Sequence, residues 1–274
     1  MIVDGNNFIS HHLKNNIPFT AGKFGGNELQ IIWCTQNKTN PWGQQFLTEV
    51  QDVAGLYPVN ESNFNWFTDT LLNNAQHLDL APSWNKVIPD FEKQIFAEYC
   101  PNVHITKLRH LEPYFSEVPW TTYLKDKKVA VFSPFAKSIS NNFKNLDKIW
   151  NNKITSNFDL IPIQYPTAIT ITKNNSYENS REIYDEILAK VKEIDFDVGI
   201  FGTGHTGLLL ALECKKLGKT GLHLGGATQI IFGIKGNRWE GIKDFKPFFN
   251  EYWSRPLKEE TPEKIDVVEE ACYW

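Results

Sequence analysis

The stretch VGIFGTGHTGLLLALECKKLGKTGLHLGG, residues 198–226, decides how the fold is read. An apolar run leads into Gly202, Gly204 and Gly207 in the spacing G-x-G-x-x-G, and a helical pattern follows, which is the signature of a strand, a tight turn and a helix. Glycines allow close backbone approach, the helix start offers free N–H groups, and its dipole favours an anion. The turn is therefore a candidate for a phosphate or diphosphate. The bland alternative is that the glycines only permit a short βα connection. NAD is a narrower claim, because the dinucleotide fingerprint places an Asp or Glu about twenty residues on, at the end of the next strand. Here the next strand, TGLHLGG, ends in His223, Gly225 and Gly226 with no acid, and the motif falls late in the chain. No NAD is expected.

Outward from this unit the chain alternates strands and helices. Strands are expected at 103–109, 128–133, 158–164, 197–201 and 220–224, with helices at 137–150, 180–194 and 205–217. Ser180 is the expected N-cap of the 180–194 helix. Such alternation implies βαβ units and a Rossmann-like α/β fold with a mostly parallel sheet flanked by helices. The first hundred residues read as a mainly helical part. Residues 17–34 give a short extended piece, a Gly-rich turn and a helix from about Asn27, and helical spacing recurs at 61–76 and 88–99. With no repeat and no long linker, residues 1–274 are read as one domain, its nucleotide-binding core in 101–274. The aromatic-rich last thirty residues are expected to wrap back over the sheet.

Composition narrows the function classes. A net charge of −4 gives no reason to expect a nucleic-acid partner. The polar, interrupted N-terminus is not expected to be a signal peptide, and runs such as GLLLAL are too short for a membrane span. Four scattered cysteines without a C-x-x-C pair suit a reduced, cytoplasmic protein and indicate neither disulfides nor zinc. The oligomeric state is left open, a homo-oligomer included.

Several further residues fall after expected strands, where an open α/β sheet binds its ligand. Gly25, Gly26 and Asn27 precede Glu28 at a helix start. That carboxylate is a candidate base or metal ligand, or merely a favourable charge on its own helix. His205 lies in the glycine turn and His223 ends the following strand. A second turn at Gly225–Gly226 leads to an apolar helix, then Lys235 and Arg238, which either neutralise a diphosphate or act as ordinary helix-end charges. Ser133 marks a third strand end.

The motifs KFGGNEL (23–29), EPYFSEVPW (112–120), KKVAVFSPF (127–135), HLGGATQIIFGIKGNRW (223–239), NEYWSRP (250–256) and CYW (272–274) occur together in this order. They resemble a group of proteins found with polysaccharide biosynthesis in bacteria and some large viruses, a group similar in turn to glycosyltransferases of the GT-D fold. The resemblance implies transfer of a hexose or pentose from a nucleotide-diphosphate donor, a UDP-sugar first, to a saccharide or glycan acceptor. The GT-D pattern carries a D-x-E motif for metal and donor diphosphate. Here Glu28 keeps the glutamate, while Gly26 or its neighbour stands where the aspartate would. One carboxylate plus a diphosphate is a thin site for Mn2+ or Mg2+, which bind through several oxygens. If a metal binds, Glu28 is its ligand. If none does, the glycine-turn amides, His205, Lys235 and Arg238 hold the leaving diphosphate, and Glu28, with His223 second, is the acid/base. Two rivals stand beside this reading: an NAD(P)-dependent oxidoreductase, and a non-catalytic nucleotide- or glycan-binding subunit.

Overall fold

The computed structural model describes residues 2–166, 177–262, 265 and 271–274. Seven strands form one parallel sheet: β1 (Thr20–Gly22), β2 (Leu80–Pro82), β3 (His104–Thr106), β4 (Lys128–Ser133), β5 (Asp159–Gln164), β6 (Val198–Phe201) and β7 (Thr220–His223). Their spatial order is β3-β2-β1-β7-β6-β4-β5. The helices, in chain order, are α1 (Gly5–Lys14), α2 (Gly26–Asn37), α3 (Gly43–Glu49), α4 (Glu61–Asn74), α5 (Pro89–Tyr99), α6 (Ala136–Phe143), α7 (Leu146–Ile149), α8 (Ser180–Glu193), α9 (Thr206–Lys216), α10 (Ala227–Ile231) and α11 (Asn237–Glu240). A π-helical turn, Val50–Ala54, follows α3.

The fold is thus the expected Rossmann-like α/β arrangement. Strand β4 shows why a continuous apolar run makes a central parallel strand. Val129 and Val131 enter one core, while Ala130 and Phe132 enter the core on the other face. Helix α9 is buried along Thr206–Cys214, so its GLLLAL run is that of a helix enclosed by protein. Among the described residues, no helix is long and apolar enough to cross a membrane.

Three local expectations are corrected. The 137–150 helix is two helices, α6 and α7, interrupted at Lys144–Asn145. The N-cap of α8 is Asn179, whose side chain accepts from the Arg181 and Glu182 N–H groups. Ser180 instead accepts the Tyr57 N–H at 2.6 Å, tying α8 to the 55–57 loop. Strand β2 was expected nowhere, and with β1 it places two strands from the first hundred residues in the common sheet. In the C-terminal segment, Phe245, Trp253 and Trp274 join the core beside α7 and β4. Residues 263–264 and 266–270 of that segment lie outside the described residues.

The topology prepares the site. Helix α2, after β1, and helix α9, after β6, pack in the core that holds Phe132. Helices α6, after β4, and α10, after β7, pack in the opposite core. Adjacent strands therefore send their connections to opposite faces along β1-β7-β6-β4, which opens crevices at the carboxyl ends of these strands. The ends are level: Gly22 pairs with His223, His223 with Phe201, and Phe201 with Phe132.

Candidate functional site

Two features occupy this edge, joined by the turn Gly225–Gly226. The first is a slot of about 120 Å3 lined by residues that follow β4, β6 and β7, by the π-helical turn and by the C-terminus. Ser133, Gly202, Gly204, Gly225 and Gly226 all line it, so the structure brings five of the expected residues together. Phe135, Tyr165 and Trp274 supply flat apolar walls. Between them stand Thr203, Thr228 and Gln229, each at most 2% exposed. Thr203 Oγ1, Thr228 Oγ1 and Gln229 Oε1 have no hydrogen-bond partner. The Gln229 amide is fixed in orientation, because its Nε2 donates to the carbonyls of Ile234, Lys235 and Tyr273. Its Oε1 is left as an acceptor waiting for a donor. Buried polar atoms without partners are costly and rare in folded proteins, and here three of them belong to residues that line one slot.

The second feature is a charge cluster at the end of β1. Lys23 is half-buried and its Nζ lies 4.8 Å from the centre of the Trp84 ring. A Cβ built on Gly225 would lie 3.8 Å from the same Nζ, so the ammonium stands over the second glycine turn. Trp84 is held there by its indole N–H on the Phe24 carbonyl (3.0 Å) and by buried Glu92, which accepts the Trp84 N–H at 3.0 Å. Burial pulls the Lys23 pKa down; Glu112 and then Glu28 oppose this, while Arg238 reinforces it. Glu28 is pushed up by burial against the pull of its own backbone amide and of Lys23. Glu112, on the loop before Tyr114, is likewise raised by burial, with Arg109 and Lys23 opposing.

Glu28 turns back over the start of α2: a Cβ on Gly25 would meet its Oε2 at 1.9 Å. Its carboxylate is thus at once the anion of its own helix terminus and part of the Lys23 cluster. Gly26 and Asn27 are the first two residues of α2 and partly exposed. Among the described residues, no group of three His, Cys, Asp or Glu side chains could hold a metal ion. With one folded-back carboxylate and an ammonium as neighbour, the donor set at Glu28 does not fit Mn2+ or Mg2+.

The G-x-G-x-x-G turn holds its own surprise. The Ala54 carbonyl sits at the start of α9, accepting the His205 backbone N–H at 3.1 Å and the His205 Nδ1–H at 2.8 Å. Gly204, at φ +56°, is pressed against the same carbonyl, which a Cβ would meet at 2.6 Å. The third glycine makes room for a ring, since a Cβ on Gly207 would lie 2.1 Å from His223 Nδ1. Two expected roles are corrected by this. His205 packs on Phe67 (5.9 Å between ring centres), and burial lowers its pKa to about 4, so it offers no positive charge to a diphosphate. His223 is buried too, and desolvation together with Lys23 lowers it to about 3. It stands as a neutral ring against α9, with Nδ1 unpartnered.

Of the two expected cations, Lys235 lies over Phe249 (5.4 Å), away from the slot lining. Arg238 lies over Tyr273 (4.9 Å), donates to its hydroxyl at 3.3 Å, and is close enough to act on Lys23. Sequence reasoning missed Lys23, Glu112, Thr228 and Gln229, although each lies in a motif quoted above. The available signal was position: Lys23 is the first residue after β1, and Thr228 lies in the first turn of α10, directly after Gly225–Gly226.

No known protein family and no curated protein matches this chain. Among solved structures it is similar to a selenomethionine-substituted domain of unknown function, DUF1792, at 14% identity and a TM-score of 0.46, over 92% of this chain and 90% of that one. A likeness that loose carries no argument about activity, so the chemistry rests on the residues themselves.

Proposed function

We propose that the protein is a glycosyltransferase that moves a sugar from a nucleoside-diphosphate donor, a UDP-sugar first, to a saccharide hydroxyl. The observation that carries this reading is the slot with its unpartnered buried polar residues meeting the Lys23 ammonium at Gly225, with Arg238 near enough to act on Lys23. A flat, partly apolar group with hydrogen-bonding edges suits the slot, and a polyanion suits the cations. A nucleoside diphosphate joins the two in one molecule. In transfer, the bond from the anomeric carbon to the terminal phosphate oxygen breaks and its electron pair stays on that oxygen. The acceptor hydroxyl oxygen bonds to the carbon and its proton goes to a base. Glu28 and Glu112 are the carboxylates of the cluster; Glu28 is the first choice of base, and a raised pKa is what a general base near neutral pH needs. The NAD reading finds no support at β7, which ends at a buried neutral histidine where a ribose-binding acid would stand.

The test is a donor screen scored by release of UDP or GDP, with and without EDTA, alongside melting curves. At a ligand concentration 100 times Kd, binding should add about 2.7 kcal/mol of stability. The Glu28→Gln variant should keep the melting shift and lose turnover. If no nucleoside diphosphate or sugar nucleotide moves the melting temperature, the reading is wrong.

A further inference from the structure

Sugar transfer needs positive charge where the diphosphate leaves, and helix termini are its usual source besides metals. At this edge three helix starts are already taken by the chain itself. Helix α2 is covered by Glu28, and helix α9 by the Ala54 carbonyl. Helix α6 is capped by buried Glu260, which accepts the Lys137 and Ser138 N–H groups at 2.7 and 3.1 Å. The slot adds no cation either: Asp52 is the charged side chain in its lining among the described residues.

Lys23 is different. Among the described residues no carboxylate comes within 4.0 Å of its Nζ, and the ammonium donates no hydrogen bond. Glu28 and Glu112 influence it from further off, and Trp84 covers one side. A half-buried ammonium with three unengaged donors, standing over Gly225 where the slot begins, is poised for an anion. We propose that the Lys23 ammonium binds the diphosphate directly and takes the place that a divalent cation holds in metal-dependent transfer. This rests on the glycosyltransferase reading. As the anomeric carbon–oxygen bond breaks, the electron pair left on the phosphate oxygen is met by the fixed Lys23 charge, with the acceptor proton passing to the base as above.

The experiment is titration calorimetry in EDTA with UDP, inorganic pyrophosphate and uridine, on wild type, Lys23→Met and Lys23→Arg. Wild type should bind UDP and pyrophosphate without metal. Lys23→Met should weaken both by about 10- to 100-fold, the worth of a charge-assisted contact, and leave uridine unchanged. Lys23→Arg should retain most of the affinity. Melting curves of Lys23→Met beside those of wild type show that it is folded at the titration temperature, so a loss of binding would not reflect unfolding. UDP bound equally by wild type and Lys23→Met, or bound only after Mn2+ or Mg2+ is added, overturns the Lys23 inference and leaves the sugar-nucleotide reading standing. Pyrophosphate bound through Lys23 without any nucleoside diphosphate overturns that reading instead. Binding of neither anion overturns both.

Discussion

Replacing His205 with Asn tests whether the start of α9 is occupied by protein. The Asn amide reproduces the Nδ1–H donor to the Ala54 carbonyl but does not titrate. In the folded protein, burial holds His205 near pKa 4, while the unfolded chain has the ordinary 6.5. A depressed folded pKa means the unfolded state binds more protons in that window, so stability is fully present above pH 6.5 and is lost as pH falls toward 4. By linkage the loss from this residue is about 2 kcal/mol between pH 7 and pH 5 and about 3 by pH 4. His205 is 2% exposed, so solvent screening does not reduce this. Glu28, Glu92 and Glu112 act in the opposite direction, because their raised pKa values favour the folded state as pH drops. The total pH profile is therefore mixed, and only the difference between wild type and variant isolates the histidine. Urea unfolding at pH 7 and pH 5 measures it. The variant will lose some ring packing on Phe67 at both pH values, but its stability should fall less on acidification by about 2 kcal/mol. Parallel losses in the two proteins would refute the reasoning. They would mean that the ring is free to protonate, that Ala54 does not close the terminus, and that the G-x-G-x-x-G turn is open to a phosphate after all.

Gly207→Ala should destabilise the fold by at least about 2 kcal/mol, because the new methyl collides with the His223 ring, a buried neighbour with nowhere to move. A second change, His223→Ala, should recover part of that loss, and denaturant titration of the four proteins reads the coupling. Thr228→Val removes a buried hydroxyl that has no partner, so the unliganded protein should melt at the same temperature or higher. The same variant should bind UDP about 5- to 10-fold more weakly by calorimetry, since the hydroxyl is then missing its ligand partner. A lower melting temperature with unchanged UDP affinity would place Thr228 outside the site.

The parts of this molecule legible in its sequence are those where local pattern and tertiary outcome share a cause. Strands β4, β6 and β7 are apolar runs because the sheet buries both their faces, and α8 shows its buried stripe through Ile183, Ile187 and Val191. Strand β2 has no such signature: three residues ending in Pro82, made a strand by its neighbours β1 and β3. The strand order is equally silent, because β1 lies beside β7 through pairing across most of the chain. The site divides along the same line. That Gly25, Ser133, Gly202 and Gly225 gather at strand ends follows from the alternation of elements, and they do gather there. What each faces does not follow. The glycine spacing reports that something comes close to the backbone, and it leaves the identity of that neighbour to the fold. At Gly204 the neighbour is the Ala54 carbonyl, and at Gly207 it is the His223 ring. Ala54 is about 150 positions away in the chain, so no reading of 198–226 could find it. A phosphate site needs the helix terminus left open, and here the chain has closed it with its own carbonyl. The positive charge at this edge is therefore sought at Lys23, which follows β1 and stands outside the G-x-G-x-x-G turn that the sequence puts forward.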